Sequence, residues 1–152
     1  LVEREYSAIV YGHMISGGTV NEPIGRDSRD RIKQAISNGG KEAITHYRVI
    51  DRYKSHTHVK AILETGRTHQ IRVHLSHIGH PLIGDSMYGG RVRFPKKASE
   101  ELKGALLNFK RQALHSKKLS LTHPISGEIM SWKAPLPDDM LILLEVLKKF
   151  DS

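Results

Sequence analysis

Cysteine is absent from these 152 residues, so neither a disulfide framework nor a thiolate metal site can form, and a reducing compartment suits the chain. No apolar run approaches the roughly 20 residues that cross a bilayer. The opening LVEREYSAIVYG carries acids and arginine where a signal peptide would be apolar. A soluble, cytoplasmic protein without membrane contact is expected. The P-loop, GxGxxG, GxSxG and HEXXH patterns are all missing, which removes the commonest nucleotide, hydrolase and zinc-protease readings. Acid is scarce relative to base: 24 Lys and Arg stand against 16 Asp and Glu, giving +8 and a pI near 9.8. That balance favours a polyanionic partner, and nucleic acid leads because no basic amphipathic helix suits a lipid surface.

What is there fits one ordinary core of 17.1 kDa with 38% hydrophobic residues. Tyr6, Ala8 and Val10 alternate with Ser7, Ile9 and Tyr11 until Gly12, a strand signature. HMISGGTVNEPIGRDSRDRIKQAISNGGKE, rich in glycine and charge, reads as an exposed excursion with hairpin-like GGTV and NGGK turns and a solvated RDSRDR loop. Strand character returns over Ala43–Tyr53 and Val59–Leu63.

At Gly66 the period changes. Thr68 is placed to cap a helix whose Ile71, Leu75 and Ile78 recur at i, i+4 and i+7, and Gly79 with Pro81 stops it. Ser99 opens a second helix carrying Leu102, Leu106 and Phe109, and Leu114–Thr122 with Ile129–Ala134 form a hairpin around HPISGE. A last helix, capped by Asp138 or Asp139, runs through Met140, Leu143, Leu144 and Leu147 to Lys148 and Lys149. The fold class is α+β: a mostly antiparallel mixed sheet flanked by helices, in one domain.

The stretch LETGRTHQIRVHL, Leu63 to Leu75, concentrates cations at a strand, turn and helix start. Arg67 beside the positive end of a helix makes an anion site. Arg72 leaves the edge of the apolar stripe, where its guanidinium can reach an acid and keep that carboxylate ionised, or snorkel to solvent. His69, His74, His77 and His80 raise a metal reading, but no third ligand in fixed geometry is recognisable, and bonds to backbone or phosphate are the ordinary use of such histidines.

LETGRTHQIRVHLSHIGHPLIGDSMYGG resembles the signature segment of the pseudouridine synthases of the ribosomal large-subunit synthase A type. EREYSAIVYG is similar to that family's second motif and RQALHSKKLSLTHPISGEIMSWKAPLPDDM to its C-terminal segment, so the resemblance covers nearly the whole chain. It implies an RNA-modifying isomerase that converts uridines, of large-subunit ribosomal RNA in particular, to pseudouridine without cofactor or metal. A catalytic aspartate detaches uracil from ribose, and the base turns and rejoins through carbon after the nucleotide has flipped from its stack. By resemblance Tyr6 stacks on the flipped base and serves as general base, Arg72 pairs with the catalytic aspartate and Ile71 lines the pocket, with Arg67, Thr68, His69 and Gln70 around it.

The basic run Arg91, Arg93, Lys96 and Lys97 and the excursion from Ile15 to Glu42 are the candidates for RNA backbone contacts. The protein is expected to be monomeric. The family's nucleophile stands in an HRLDxxTSG-like motif, and no such string occurs here. Asp85 matches a turn-holding position, while Asp27, Asp30 and Asp51 have no catalytic counterpart. Residues 1–152 are therefore expected to be the C-terminal part of a synthase catalytic domain, inactive alone, with Arg72 lacking its acid. A non-catalytic RNA-binding module and a histidine-based metal enzyme are the alternatives.

Overall fold

The computed structural model describes residues 2–152. Eight strands and four helices follow in the order β1 (Val2–Tyr11), β2 (Gly18–Asn21), β3 (Ile24–Arg26), β4 (Gln34–Ile36), β5 (Ile44–Arg52), β6 (His56–Leu63), α1 (Gln70–His77), α2 (Ser86–Gly89), α3 (Glu100–Asn108), β7 (Leu114–Thr122), β8 (Ile129–Lys133) and α4 (Asp138–Phe150). Six strands form one sheet in the order β2-β5-β6-β1-β7-β8, and β3 with β4 form a separate hairpin. Every ladder among the described residues is antiparallel.

The period of two in β1 sends side chains to both faces of the sheet, and both faces are covered. Ala8 and Val10 join Val59, Ala61 and Leu63 of β6 beneath Ile71 and Leu75 of α1. Ile9 and Tyr11 point the other way, into Leu102 and Leu106 of α3 and Met140, Leu143 and Leu147 of α4. β1 is thus an interior strand buried on both sides. A third cluster, Ile24, Ala43 and Val73, seats the β3–β4 hairpin against α1. Asp151 fastens the end of α4 to β6: its Oδ2 accepts from Ser55 N at 3.0 Å and is 2.7 Å from His56 Nδ1, with both side chains buried.

Several boundaries differ from expectation. The excursion after Gly12 contains three short strands, and β2 forms an edge of the main sheet. β6 begins at His56, because Thr57 and His56 pair with Val10 and Tyr11. Thr68 does not cap α1; the cap position is His69 in the left-handed region (φ 57°, ψ 22°), with no side-chain cap bond. Neither Asp138 nor Asp139 caps α4, whose cap position is Pro137. Asp139 instead meets Arg111 in a two-pronged pair, each N–O distance 2.8 Å. Ser99 does cap α3, accepting from Leu102 N at 3.1 Å. β7 and β8 form the expected hairpin.

Adjacent leucines on α3 give a direct check on this packing. Leu106 is 1% exposed and Leu107 49%. Leu106→Ala is expected to destabilise the fold by about 2–5 kcal/mol in urea unfolding, and Leu107→Ala by no more than about 0.5 kcal/mol. Similar losses for both would contradict the burial of α3 against α4.

Candidate active site

The turn between β6 and α1 is built around the buried amide of Gln70. Its Oε1 accepts from Thr65 Oγ1 at 2.7 Å and from Arg67 N at 3.0 Å. Its Nε2 donates to Ile44 O and to Thr45 Oγ1, both at 2.9 Å. One side chain therefore joins the turn, the helix start and β5, and its amide is fully engaged within the fold. Thr45 Oγ1 donates onward to His74 Nδ1 at 2.8 Å, and His74 Nε2 donates to Glu22 O at 2.9 Å. Burial holds the His74 pKa below its usual value, so the ring stays neutral with the proton on Nε2.

Arg72 lies on the flank of α1 and does have an acidic partner. Its Nε donates to Asp85 Oδ2 at 2.8 Å and its Nη2 to Asp85 Oδ1 at 3.0 Å; the two side chains are 12% and 1% exposed. This carboxylate comes from thirteen residues on, at the cap of α2, a turn-holding position and not the HRLD-type aspartate that Arg72 is expected to lack within residues 1–152. Asp85 holds a turn as well, since it also accepts from Tyr88 N. The guanidinium carbon sits 4.9 Å from the centroid of the Tyr88 ring, a cation–π contact.

Tyr88 continues the network. Burial raises its pKa and, with the charge of Arg72 second, lowers that of His69. The phenol therefore keeps its proton and donates to His69 Nδ1 at 2.6 Å, while its oxygen accepts from Gln34 N of β4 at 3.0 Å. His69 is thus held in its left-handed conformation by a side-chain bond, one reason the helix starts there and not at Thr68. Arg72 uses Nε and Nη2 on Asp85, so Nη1 is the edge left for another acceptor.

Tyr6 is half-buried on the face of the sheet that carries Ile71 and packs against the same apolar cluster. Glu5 is opposite Lys118 and Tyr6 opposite Ser116, so β7 inserts one extra residue, Lys117, beside Tyr6. Such a bulge bends the ladder and re-aims neighbouring side chains. No aspartate occurs in β1, β6, β7 or α1, the elements around Tyr6. Asp27 and Asp30 fold back onto their own loop and accept from the backbone N–H groups of Arg29, Asp30 and Ile32.

Arg67 and Thr68 border a polar concavity of about 470 Å³ shared with Arg26, Gln34 and Lys41 of the hairpin region. Arg67 is steadied there by Nε donating to Glu42 O at 2.7 Å. Arg91, Arg93, Lys96 and Lys97 are exposed on the segment after α2. Arg93 is tethered, its Nη2 donating to Gly89 O at 3.2 Å and its guanidinium lying 5.4 Å from the Tyr11 ring. Of the histidines considered for metal, His74 bonds Thr45 and Glu22, His69 bonds Tyr88, and His80 Nδ1 is 2.8 Å from Tyr11 O. Among the described residues no three His, Asp or Glu side chains gather as a metal cluster.

Residues 1–77 match the family model described as RNA pseudouridylate synthase. The ribosomal large subunit pseudouridine synthase D of Haemophilus influenzae is 54% identical over 147 residues, covering 97% of this chain and 45% of the relative. Its counterpart in Pseudomonas aeruginosa is 54% identical over 148 residues, with 97% and 46% covered. The chain thus spans a little under half the length of these relatives. The solved structure of human RNA pseudouridylate synthase domain containing 4 superposes with a TM-score of 0.73 at 28% identity, over 97% of this chain and 62% of that one. Human RNA pseudouridylate synthase domain containing 1 gives 0.70 at 25% identity, over 99% and 67%.

Two outcomes test the site as built. Asp85→Asn leaves the Arg72 charge uncompensated in a part-buried place, so a loss of about 3–5 kcal/mol in urea unfolding is expected; a neutral effect would mean that the pair does not form. Burial depresses the pKa values of His58, His69 and His74. The unfolded chain therefore takes up protons near pH 6.5 that the folded chain refuses, and stability is full above that value and lost as pH falls below it. The carboxylates held low, Asp27 and Asp139, lose their contribution only at more acidic pH. Unfolding measured at pH 7.5 and 5.5 should show the weaker fold at 5.5; equal stability would contradict neutral buried histidines.

Proposed function

Because this chain belongs to the RNA pseudouridylate synthase family, we propose that the protein isomerises uridines of large-subunit ribosomal RNA to pseudouridine. The observation that carries this is the 54% identity, over 97% of the chain, to large subunit pseudouridine synthases. The reaction breaks the bond from ribose C1′ to uracil N1, turns the base and joins C1′ to C5. N1 gains a proton and C5 loses one, so the atoms balance with no cofactor, oxidant or reductant.

Tyr6 stacks on the flipped base and serves as general base, its phenol oxygen accepting the C5 proton as its own proton passes to solvent, while Ile71 forms the floor on which the base turns. The shared cluster of these two side chains supports the assignment. Arg72 pairs through Nη1 with the nucleophilic aspartate, and Asp85 holds its other edge. The nucleophile comes from polypeptide outside residues 1–152, a reading supported by the absence of aspartate from the elements around Tyr6. Arg67, Thr68, His69 and Gln70 form and brace the pocket rim, and Arg91, Arg93, Lys96 and Lys97 meet the RNA backbone. The folded shape of the RNA and its phosphates, not base edges alone, give such a basic surface its purchase.

Formation of the C1′–C5 bond expels the hydrogen from C5, so the test is release of tritium to water from large-subunit RNA labelled at C5 of uridine. The full protein should release tritium, and Tyr6→Phe should slow release by about 10²–10⁴-fold, the range of a lost proton-transfer group. Residues 1–152 alone should release none. Release by those residues alone, or full activity of Tyr6→Phe, would overturn the corresponding assignment.

A further inference from the structure

Arg4 stands two residues before Tyr6 on the same face of β1, opposite Leu63 and Leu119. Its Nε is buried and has no hydrogen-bond partner. No carboxylate pairs with it among the described residues. Charged donors are rarely left unmet in folded proteins, and one that is unmet calls for an explanation. Its guanidinium comes so close to Gly66 that, as Arg4 is placed, a Cβ at position 66 would overlap its Nη1. Gly66 in turn borders the polar concavity where Arg67, Arg26 and Lys41 gather, and no acid lines that concavity.

We propose that Arg4 binds a phosphodiester of the RNA next to the flipped nucleotide, and that the backbone then runs past Gly66 into the groove of Arg67, Arg26 and Lys41. This rests on the reading of Tyr6 as the residue that stacks on the base. Residues two apart on a strand are about 7 Å apart along it, comparable with the span from a nucleobase across its sugar to its own phosphate. A guanidinium meets phosphate oxygens in a two-pronged pair, and a small outward turn gives Nε the partner it lacks. The competing occupant is a single protein carboxylate, but a run of four cations without acids fits a polyanion that passes all of them. The acids of the hairpin do not compete, because Asp27 and Asp30 are occupied by backbone N–H groups.

The test measures binding of the full protein, wild type and Arg4→Gln, to a large-subunit RNA fragment across a salt series. A second fragment carries an uncharged methylphosphonate beside the uridine that the wild type converts. Arg4→Gln should weaken binding roughly tenfold and shallow the slope of log K against log salt by about 0.7–0.9. The methylphosphonate should cost the wild type a similar factor and the variant nothing more. Arg4→Lys should keep the salt slope. If Arg4→Gln leaves the slope unchanged, or if the methylphosphonate weakens both proteins equally, the proposal fails. It fails equally if Arg4→Gln lowers thermal stability while RNA affinity stays as it was, the result that marks a protein carboxylate as the partner. Tritium release with a slope blind to Arg4 sinks this inference alone. A slope that depends on Arg4 in a protein that releases no tritium sinks the isomerase reading and leaves phosphate binding standing.

Discussion

The amide of Gln70 is the contact on which the geometry of the site rests. It ties the turn after β6 to β5 and to the first turn of α1. With that clasp in place, Arg67 must leave the turn toward the groove, Ile71 must face the sheet and Arg72 must leave by the flank toward Asp85. A buried amide whose partners are all present is stable, while one with a partner missing costs the full desolvation of the group left over. The same logic extends along the chain from Thr45 to His74 to Glu22, which fastens the excursion to α1. Placement of the functional side chains is thus a property of a polar network under the helix, and the apolar clusters supply the bulk stability around it.

Parts of this were legible from sequence because they are local. The alternation through Tyr6 to Tyr11, the helix stripe of Ile71 and Leu75, the Ser99 cap and the hairpin around HPISGE are all decided within a few residues, and they appear as expected. What escaped depends on distant partners. β2 is four residues whose strand character comes from pairing with β5, 23 positions later at its closest register. Left-handed His69 could not be read from propensity, because the Tyr88 hydroxyl that holds it lies 19 residues on. Asp85 is a turn residue, as its sequence context implies; its second role exists only because α2 folds back against the flank of α1. Arg4 carried no sequence signal at all, since its distinction is an unmet donor.

The distribution of charge follows from the same division. Several acids are engaged within the fold: Asp85 with Arg72, Asp151 against His56, Asp139 with Arg111, Asp27 and Asp30 on backbone N–H groups. Each such use anchors a loop or a helix end. The cations of the hairpin and of the segment after α2 are left facing solvent, so the field outside the molecule is more positive than a net charge of +8 spread evenly would produce. A basic surface of this kind draws in a polyanion at long range without choosing among sequences. On the function proposed above, selection of a particular uridine then falls to the shape of the groove and to the energy of flipping the base.

Beyond Tyr6 and Arg4, this face of the sheet continues onto the β7–β8 hairpin, where Leu119 lies opposite Trp132 and Leu121 opposite Met130. Leu119, Met130 and Trp132 are exposed there. Arg4 therefore sits at a boundary, with an apolar strip on one side and the glycine turn leading to the cationic groove on the other. A cation at such a boundary is only partly hydrated, because Leu119 and Gly66 crowd it. Partial hydration strengthens its attraction to an oxyanion relative to a fully solvated lysine on the loop tips. Under the proposal made for Arg4, loop cations govern encounter and salt dependence, while Arg4, close to Tyr6, acts on the nucleotide that has already left its stack.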